Sequence, residues 1–244
     1  MKVVNFIRRL LGIKKLQKTA TDNNRLLKEL NWADIFNNTI AGCTWLENQS
    51  FSPGRWGVGY PLLYVLYKAL AITKPNSILE FGLGQSSNML FRYAAEHVNV
   101  SVSTLEHDPQ WIDFYKKDMP LPNNANIITV ENETIKYKGA ETLSIKHINK
   151  LLEGEKYDLV LVDAPFGSNR YSRSQVLSLI PENINPENFI IIIDDYSRPG
   201  EKETCNELED MFTKHNINYR KGIYQGSNDL IIYCSDNLSF LTSM

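Results

Sequence analysis

Short apolar runs recur through the later part of the chain, each separated from the next by a stretch with helical spacing. Residues 78–81, 100–105, 126–130, 157–162 and 189–193 are rich in Ile, Val and Leu and too short for core helices, so they are predicted strands. The intervening stretches 87–97, 109–117, 140–153, 172–180 and 202–215 are predicted helices, with Asp108 capping the second. Strands that alternate with helices need crossover connections, which gives an α/β domain built on a parallel sheet covered on both faces. The pattern changes at the end. Runs 217–224 and 230–234 are joined through Gln225-Gly226-Ser227-Asn228, a turn sequence that predicts a β-hairpin and hence an antiparallel edge. Ahead of the first strand, Asp22 is the predicted cap of a helix through residue 40, with Leu26, Leu27, Leu30 and Ile35 on its apolar side. Pro61, tolerated in a first helical turn, opens another over 62–72.

The 244 residues, 43% hydrophobic and 22% charged, suffice for one sizeable core plus an appendage. The predicted organisation is a basic amphipathic helix over 1–20, a helical extension over 21–54 and the main domain over 55–244. A net charge of −2 supplies no global basic field, so nucleic acid is not an expected partner. The charge is uneven, however. Lys2, Arg8, Arg9, Lys14, Lys15 and Lys18 stand without an acid among residues 1–18, interleaved with Val3, Val4, Phe6, Ile7, Leu10, Leu11, Ile13 and Leu16. Arg8 and Arg9 keep the apolar stretch shorter than a membrane span. Two readings of this segment stand: a helix lying on an anionic membrane surface, or one packed on its own domain or on a second subunit of a homo-oligomer. Cys43, Cys205 and Cys234, odd in number and unevenly spaced, form no disulfide framework, which points to a reducing cytoplasm.

The chemistry gathers at the strand ends. Ser77-Ile78-Leu79-Glu80-Phe81-Gly82-Leu83-Gly84-Gln85-Ser86-Ser87 runs from an apolar strand through a carboxylate into a two-glycine turn and a helix start. Gly82 can take the sharp turn, Gly84 can let a ligand lie against bare backbone, and the helix opened by Ser86 or Ser87 directs unpaired N–H groups at it. Later strands end in Glu106, Asp163 and the pair Asp194-Asp195, so the acids converge on one rim where parallel sheets bind ligands. A dinucleotide fold is the competing reading. Gly82-x-Gly84-x-x-Ser87 lacks its third glycine, and an acid two residues before the turn would repel a pyrophosphate.

With these residues in place, Glu80-Phe81-Gly82-Leu83-Gly84 and the ordered acids resemble the class I S-adenosylmethionine-dependent methyltransferases over residues 55–235. The resemblance implies an α/β, three-layer, Rossmann-like methyltransferase fold, its seven-stranded, mostly parallel sheet closed by the antiparallel C-terminal hairpin. It implies that Glu80, Gly82, Gly84 and Ser86 hold the methionine part of S-adenosylmethionine. Glu106 would accept from the ribose hydroxyls beside His107, and Glu131-Asn132 would lie near the adenine. Asp163 followed by Asp194-Asp195 and Arg198-Pro199-Gly200 is similar to the catechol O-methyltransferase group, in which such acids hold Mg²⁺ against the substrate oxygens; Val58-Gly59 matches a cofactor-touching pair there. Asp195 replaces an expected Asn, and a Lys expected after Asp163 is absent. A second likeness, in Leu105-Glu106-His107-Asp108-Pro109 and Val162-Asp163-Ala164-Pro165-Phe166-Gly167, is to the glucuronoxylan glucuronic acid 4-O-methyltransferases.

Both likenesses imply an enzyme that methylates a hydroxyl oxygen, on a sugar or uronic acid of a surface polysaccharide or its precursor, or on a catechol-type small molecule. A catalytically silent cofactor-binding scaffold is the reading from another class. Asp163 and Asp194 are the catalytic candidates. With Asp195 they could hold a divalent cation, or Asp163 could itself be the general base. Arg55, Trp56, Arg170, Arg173 and Arg198 are candidate substrate contacts, since arginine's fork suits a uronate carboxylate. The reading places the protein in the cytoplasm, or peripherally on the inner membrane face through residues 1–18.

Overall fold

The computed structural model describes residues 12–47, 50–51, 57–119 and 121–244. Strands β1 (Ser77–Phe81), β2 (Ser101–Glu106), β3 (Ala125–Thr129), β6 (Leu159–Val162) and β7 (Ile190–Ile193) form where the five apolar runs predicted them, with ends displaced by one or two residues. With β8 (Arg220–Tyr224) and β9 (Leu230–Cys234) they build a seven-stranded sheet ordered β3-β2-β1-β6-β7-β9-β8. The first five strands of that order run parallel, and β9 enters antiparallel to both β7 and β8. This is the expected mostly parallel sheet with its terminal hairpin. The order reverses between β1 and β6, which opens the crevice at their carboxyl ends.

The central strands are apolar on both faces because both faces are covered. Ile78, Leu159, Leu161, Ile190 and Ile192 point into one buried cluster with residues of α2 (Tyr60–Thr73) and α3 (Gln85–Glu96). The alternate residues Leu79, Phe81, Val160, Val162, Ile191 and Ile193 point into a second cluster with Leu208 and Phe212 of α6 (Pro199–Lys214). Three layers result. Pro61 stands in the first turn of α2, and the Asp108 carboxylate accepts from the Gln110 and Trp111 N–H groups at the start of α4 (Pro109–Asp118).

Three expectations fail. The first helix, α1 (Ile13–Ile40), begins well before Asp22, which lies inside it and caps nothing. Residues 140–153 are not one helix. Ala140–Ile145 is strand β5, paired antiparallel with β4 (Asn132–Tyr137), and only the short α5 (Ile148–Leu151) is helical. Lys138 and Gly139 carry the reversal at φ 45° and 82°, the left-handed pair that a two-residue hairpin turn demands. Residues 172–180 form a 3₁₀ segment (Ser174–Leu179) entered through Tyr171 and Arg173, both at positive φ. Residues 1–11, which carry most of the predicted basic helix, lie outside the described residues, as do Arg55 and Trp56.

Candidate functional site

The turn after β1 is held from three sides. Gly82 has φ 99°, and a Cβ there would stand 2.9 Å from the Ala164 Cβ, so glycine lets the β1 and β6 loops touch. Leu83 is fixed by both backbone groups. Its N–H donates to Glu106 Oε2 at 3.0 Å, and its carbonyl accepts from Trp111 Nε1 at 2.8 Å. Gly84, the residue capping α3, has open space where a side chain would stand, and its N–H donates to Ser87 Oγ.

Glu80 does not face this open space. It is fully buried, and its carboxylate accepts from Ser86 Oγ at 2.6 Å, Ser87 Oγ at 2.6 Å and Thr104 Oγ1 at 2.8 Å. Burial pushes its pKa up to about 7 against the pull of the three hydroxyls. Glu80 therefore braces the turn and the first turn of α3 from inside. Ser86, expected at the ligand, turns its hydroxyl inward on the same carboxylate. Thr104 was missed in the sequence, and Ser87, read there as a helix start, is a second hydroxyl on Glu80. Thr104 stands directly opposite Glu80 in the β1–β2 register, a donor that a buried strand acid calls for.

Glu106 ends β2 with both oxygens engaged: Oε2 by Leu83, Oε1 by the His107 and Asp108 N–H groups and by His107 Nδ1 at 2.8 Å. The His107 ring meets Phe166 edge-on, with centroids 6.2 Å apart. Phe166 and Trp111 both expose their rings, 63% and 39%, and Trp111 stacks on Phe114. The rim is therefore aromatic as well as acidic. Beyond β3 an open groove of about 540 Å³ is lined by Thr129, Val130, Glu131, Lys146, His147 and Lys150. Val58 is buried in the core beside α2, and Gly59 abuts the Glu29 carboxylate of α1.

At the ends of β6 and β7, single carboxylate oxygens of Asp163, Asp194 and Asp195 lie within 4.8 Å of one another. Arg173 reaches into this cluster. Its Nη2 donates to Asp195 Oδ2 at 2.9 Å and pairs with Asp163 Oδ1 at 3.1 Å, while Nη1 donates to the carbonyls of Asp194 at 2.9 Å and Val162 at 3.4 Å. The expectation that Arg173 overhangs an acceptor is overturned: it is 3% exposed. Paired charge is what makes so many buried acids tolerable. Arg198 pairs through Nη1 with Asp195 at 2.8 Å and Arg170 through Nε with Glu203, and both side chains stay about half exposed. A guanidinium already engages one oxygen of each of two of the three clustered carboxylates, so a divalent cation at this set would compete with Arg173 for them.

The loop bearing these groups is clamped to α6. Ser172 donates from Oγ to Glu201 Oε1 and from its N–H to the Gly200 carbonyl, and its own carbonyl accepts from Thr204 Oγ1. Gly200 permits the approach, since a Cβ would fall 2.4 Å from the Ser168 carbonyl oxygen. Burial raises the Asp163 pKa to about 6 although Arg173 opposes it, and burial raises Asp194 well above the ordinary carboxylate range. Asp163 alone of the three acids keeps appreciable access to solvent.

The fold is shared with known methyltransferases. The chain is similar to a provisionally assigned caffeoyl-CoA O-methyltransferase from Staphylococcus aureus, with a TM-score of 0.53 and 14% identity over 86% of this chain and 99% of that one. It is similar to the O-methyltransferase TomG of Streptomyces achromogenes, involved in tomaymycin synthesis and solved with S-adenosylmethionine (TM-score 0.53, 13% identity, 73% and 81% covered). An O-methyltransferase from Bacillus cereus solved with S-adenosylhomocysteine matches at 0.52 and 15% identity, with 84% and 91% covered. No protein-family model and no curated protein matches.

Proposed function

We propose that the chain is an S-adenosylmethionine-dependent O-methyltransferase acting on a small hydroxyl compound. The carrying observation is the bare turn Gly82-Leu83-Gly84, wedged at the sheet's order reversal between the Glu106 carboxylate and the β6 loop that begins at Asp163. When bound, the sulfonium cofactor supplies an activated methyl group. The turn backbone receives its amino-acid end, with Glu80 bracing that backbone from behind. Glu106 Oε2, used within the protein by the Leu83 N–H, keeps a lone pair and accepts from a ribose hydroxyl. His107, Phe166 and Trp111 offer flat surfaces to a heteroaromatic ring. Asp163 keeps one oxygen on Arg173 and takes the acceptor's hydroxyl proton on the other, with a pKa near 6 that suits a base at neutral pH. Alignment of donor and acceptor does the remaining work.

A planar phenol is favoured over a uronic acid as acceptor, because the rim exposes aromatic rings while Arg173, a candidate grip for a uronate, is buried on Asp163 and Asp195. Transfer of labelled methyl from S-adenosylmethionine to a panel of catechols and uronic acid glycosides tests this. Catechol labelling that falls roughly 10²–10⁴-fold in Asp163→Asn, with cofactor affinity unchanged, is the expected result. Labelling of uronic acids alone would reverse the acceptor, and an undiminished Asp163→Asn would remove the base.

The reading includes docking on an anionic membrane face through α1. Leu16, Leu26, Leu27 and Leu30 are 60–68% exposed. At helical spacing Leu16, Leu27 and Leu30 fall on the side opposite Glu29, Trp32 and Phe36, which meet the body of the protein. Lys14, Lys15 and Lys18 of the basic segment 1–18 stand in the first turns of this helix, so the surface the reading needs is apolar and anionic. Among the described residues no helix is long and apolar enough to cross a membrane.

A further inference from the structure

We infer that the Arg173 guanidinium is the resident cation of the acidic rim, and that the chain works without the divalent metal which three such acids would otherwise collect. The inference rests on reading the rim as the acceptor end of the site. It turns on where this one side chain lies. A Mg²⁺ or Mn²⁺ ion needs several oxygens turned toward one centre at short range. Here Asp163 Oδ1 and Asp195 Oδ2 turn instead toward Arg173 Nη2, at 3.1 and 2.9 Å. The third acid contributes its backbone, since the Asp194 carbonyl accepts from Nη1. One planar cation thus ties together the ends of β6 and β7, as a metal between those loops would.

The arginine has no easy exit. Its side chain is 4% exposed, and its backbone is held at φ 59° directly after Ser172, whose three hydrogen bonds fix it to α6. A fourth acid, Glu201, is buried on the far side with Oε1 at 3.9 Å from Arg173 Nε. Arg198 adds a second guanidinium 2.8 Å from Asp195. An entering dication would meet two guanidinium groups and would compete with Arg173 for an oxygen of Asp163 and one of Asp195. For the proposed chemistry, proton removal then falls to Asp163 itself, and Arg173 is a positioning residue that sets which Asp163 oxygen faces the acceptor.

Titration of the full chain with Mn²⁺, followed by the loss of free-ion paramagnetic resonance signal after chelator treatment, tests this without any acceptor. The wild-type chain is expected to bind Mn²⁺ no tighter than on the order of 1 mM. Arg173→Met, which empties the centre and leaves the acids, is expected to bind at least roughly tenfold more tightly, and to lose that gain when Asp195→Asn is added. Wild-type binding at micromolar Mn²⁺, abolished by Asp194→Asn, would overturn the inference. So would an Arg173→Met chain that folds and gains no affinity. If that variant does not fold, the wild-type titration still decides. Binding of S-adenosylhomocysteine, measured alongside, reports on the proposed function separately, because the cofactor turn does not include Arg173.

Discussion

Glu80 shows how one residue organises the turn without touching what the turn binds. A carboxyl group in a dry core is tolerable only with donors, and three hydroxyls from α3 and β2 supply them. The residual cost appears as its raised pKa, about 7 against 4.5. The folded state therefore holds this proton more tightly than the unfolded chain. Its contribution to stability is complete below about pH 4.5 and is lost as pH rises through 7, a change of about 3 kcal/mol. Glu80→Gln removes that titration. Calorimetric melting temperatures at pH 5 and pH 7.5 are expected to fall by roughly 5 °C less in the variant than in wild type. Equal falls in both would mean that Glu80 is already charged in the fold. The ring of acids was legible at this scale, since each closes an apolar run. Their partners were not. Arg173 reads as a loop cation in sequence, and only the convergence of β6, β7 and α6 makes it a buried one.

Among the elements, the parallel strands were legible because four- to six-residue apolar runs admit little else, and the terminal hairpin because its turn residues are distinctive. The β4–β5 hairpin was not. Leu143, Ile148, Leu151 and Leu152 satisfy a helical period, and the Lys138-Gly139 turn outweighs it only because Thr142 and Ser144 bury one strand face against the body. Helix α1 is the opposite case, a long helix whose first half packs on nothing in the described chain. Replacing Leu16, Leu27 and Leu30 together by Ser is expected to release the protein from phosphatidylserine vesicles in co-sedimentation and leave its melting temperature within about 2 °C of wild type, since exposed positions contribute little to folding. Retention on the vesicles would refute docking through this face. A large fall in melting temperature would show that the face is covered within the protein.

Across the whole molecule, the sheet reversal between β1 and β6 does what neither strand does alone. It brings the glycine turn, Glu106 and Asp163 to one crevice, while the 163–173 loop is clamped by its contacts to α6. The fold is common to enzymes of several acceptor classes, so the cofactor is the claim on which the rest depends. Calorimetric titration of the purified full chain with S-adenosylhomocysteine, with NADH as the comparison, tests it most directly. The account predicts micromolar binding of the homocysteine product, unchanged by added Mg²⁺, and none of NADH. Binding of NADH, or of neither ligand, would contradict it.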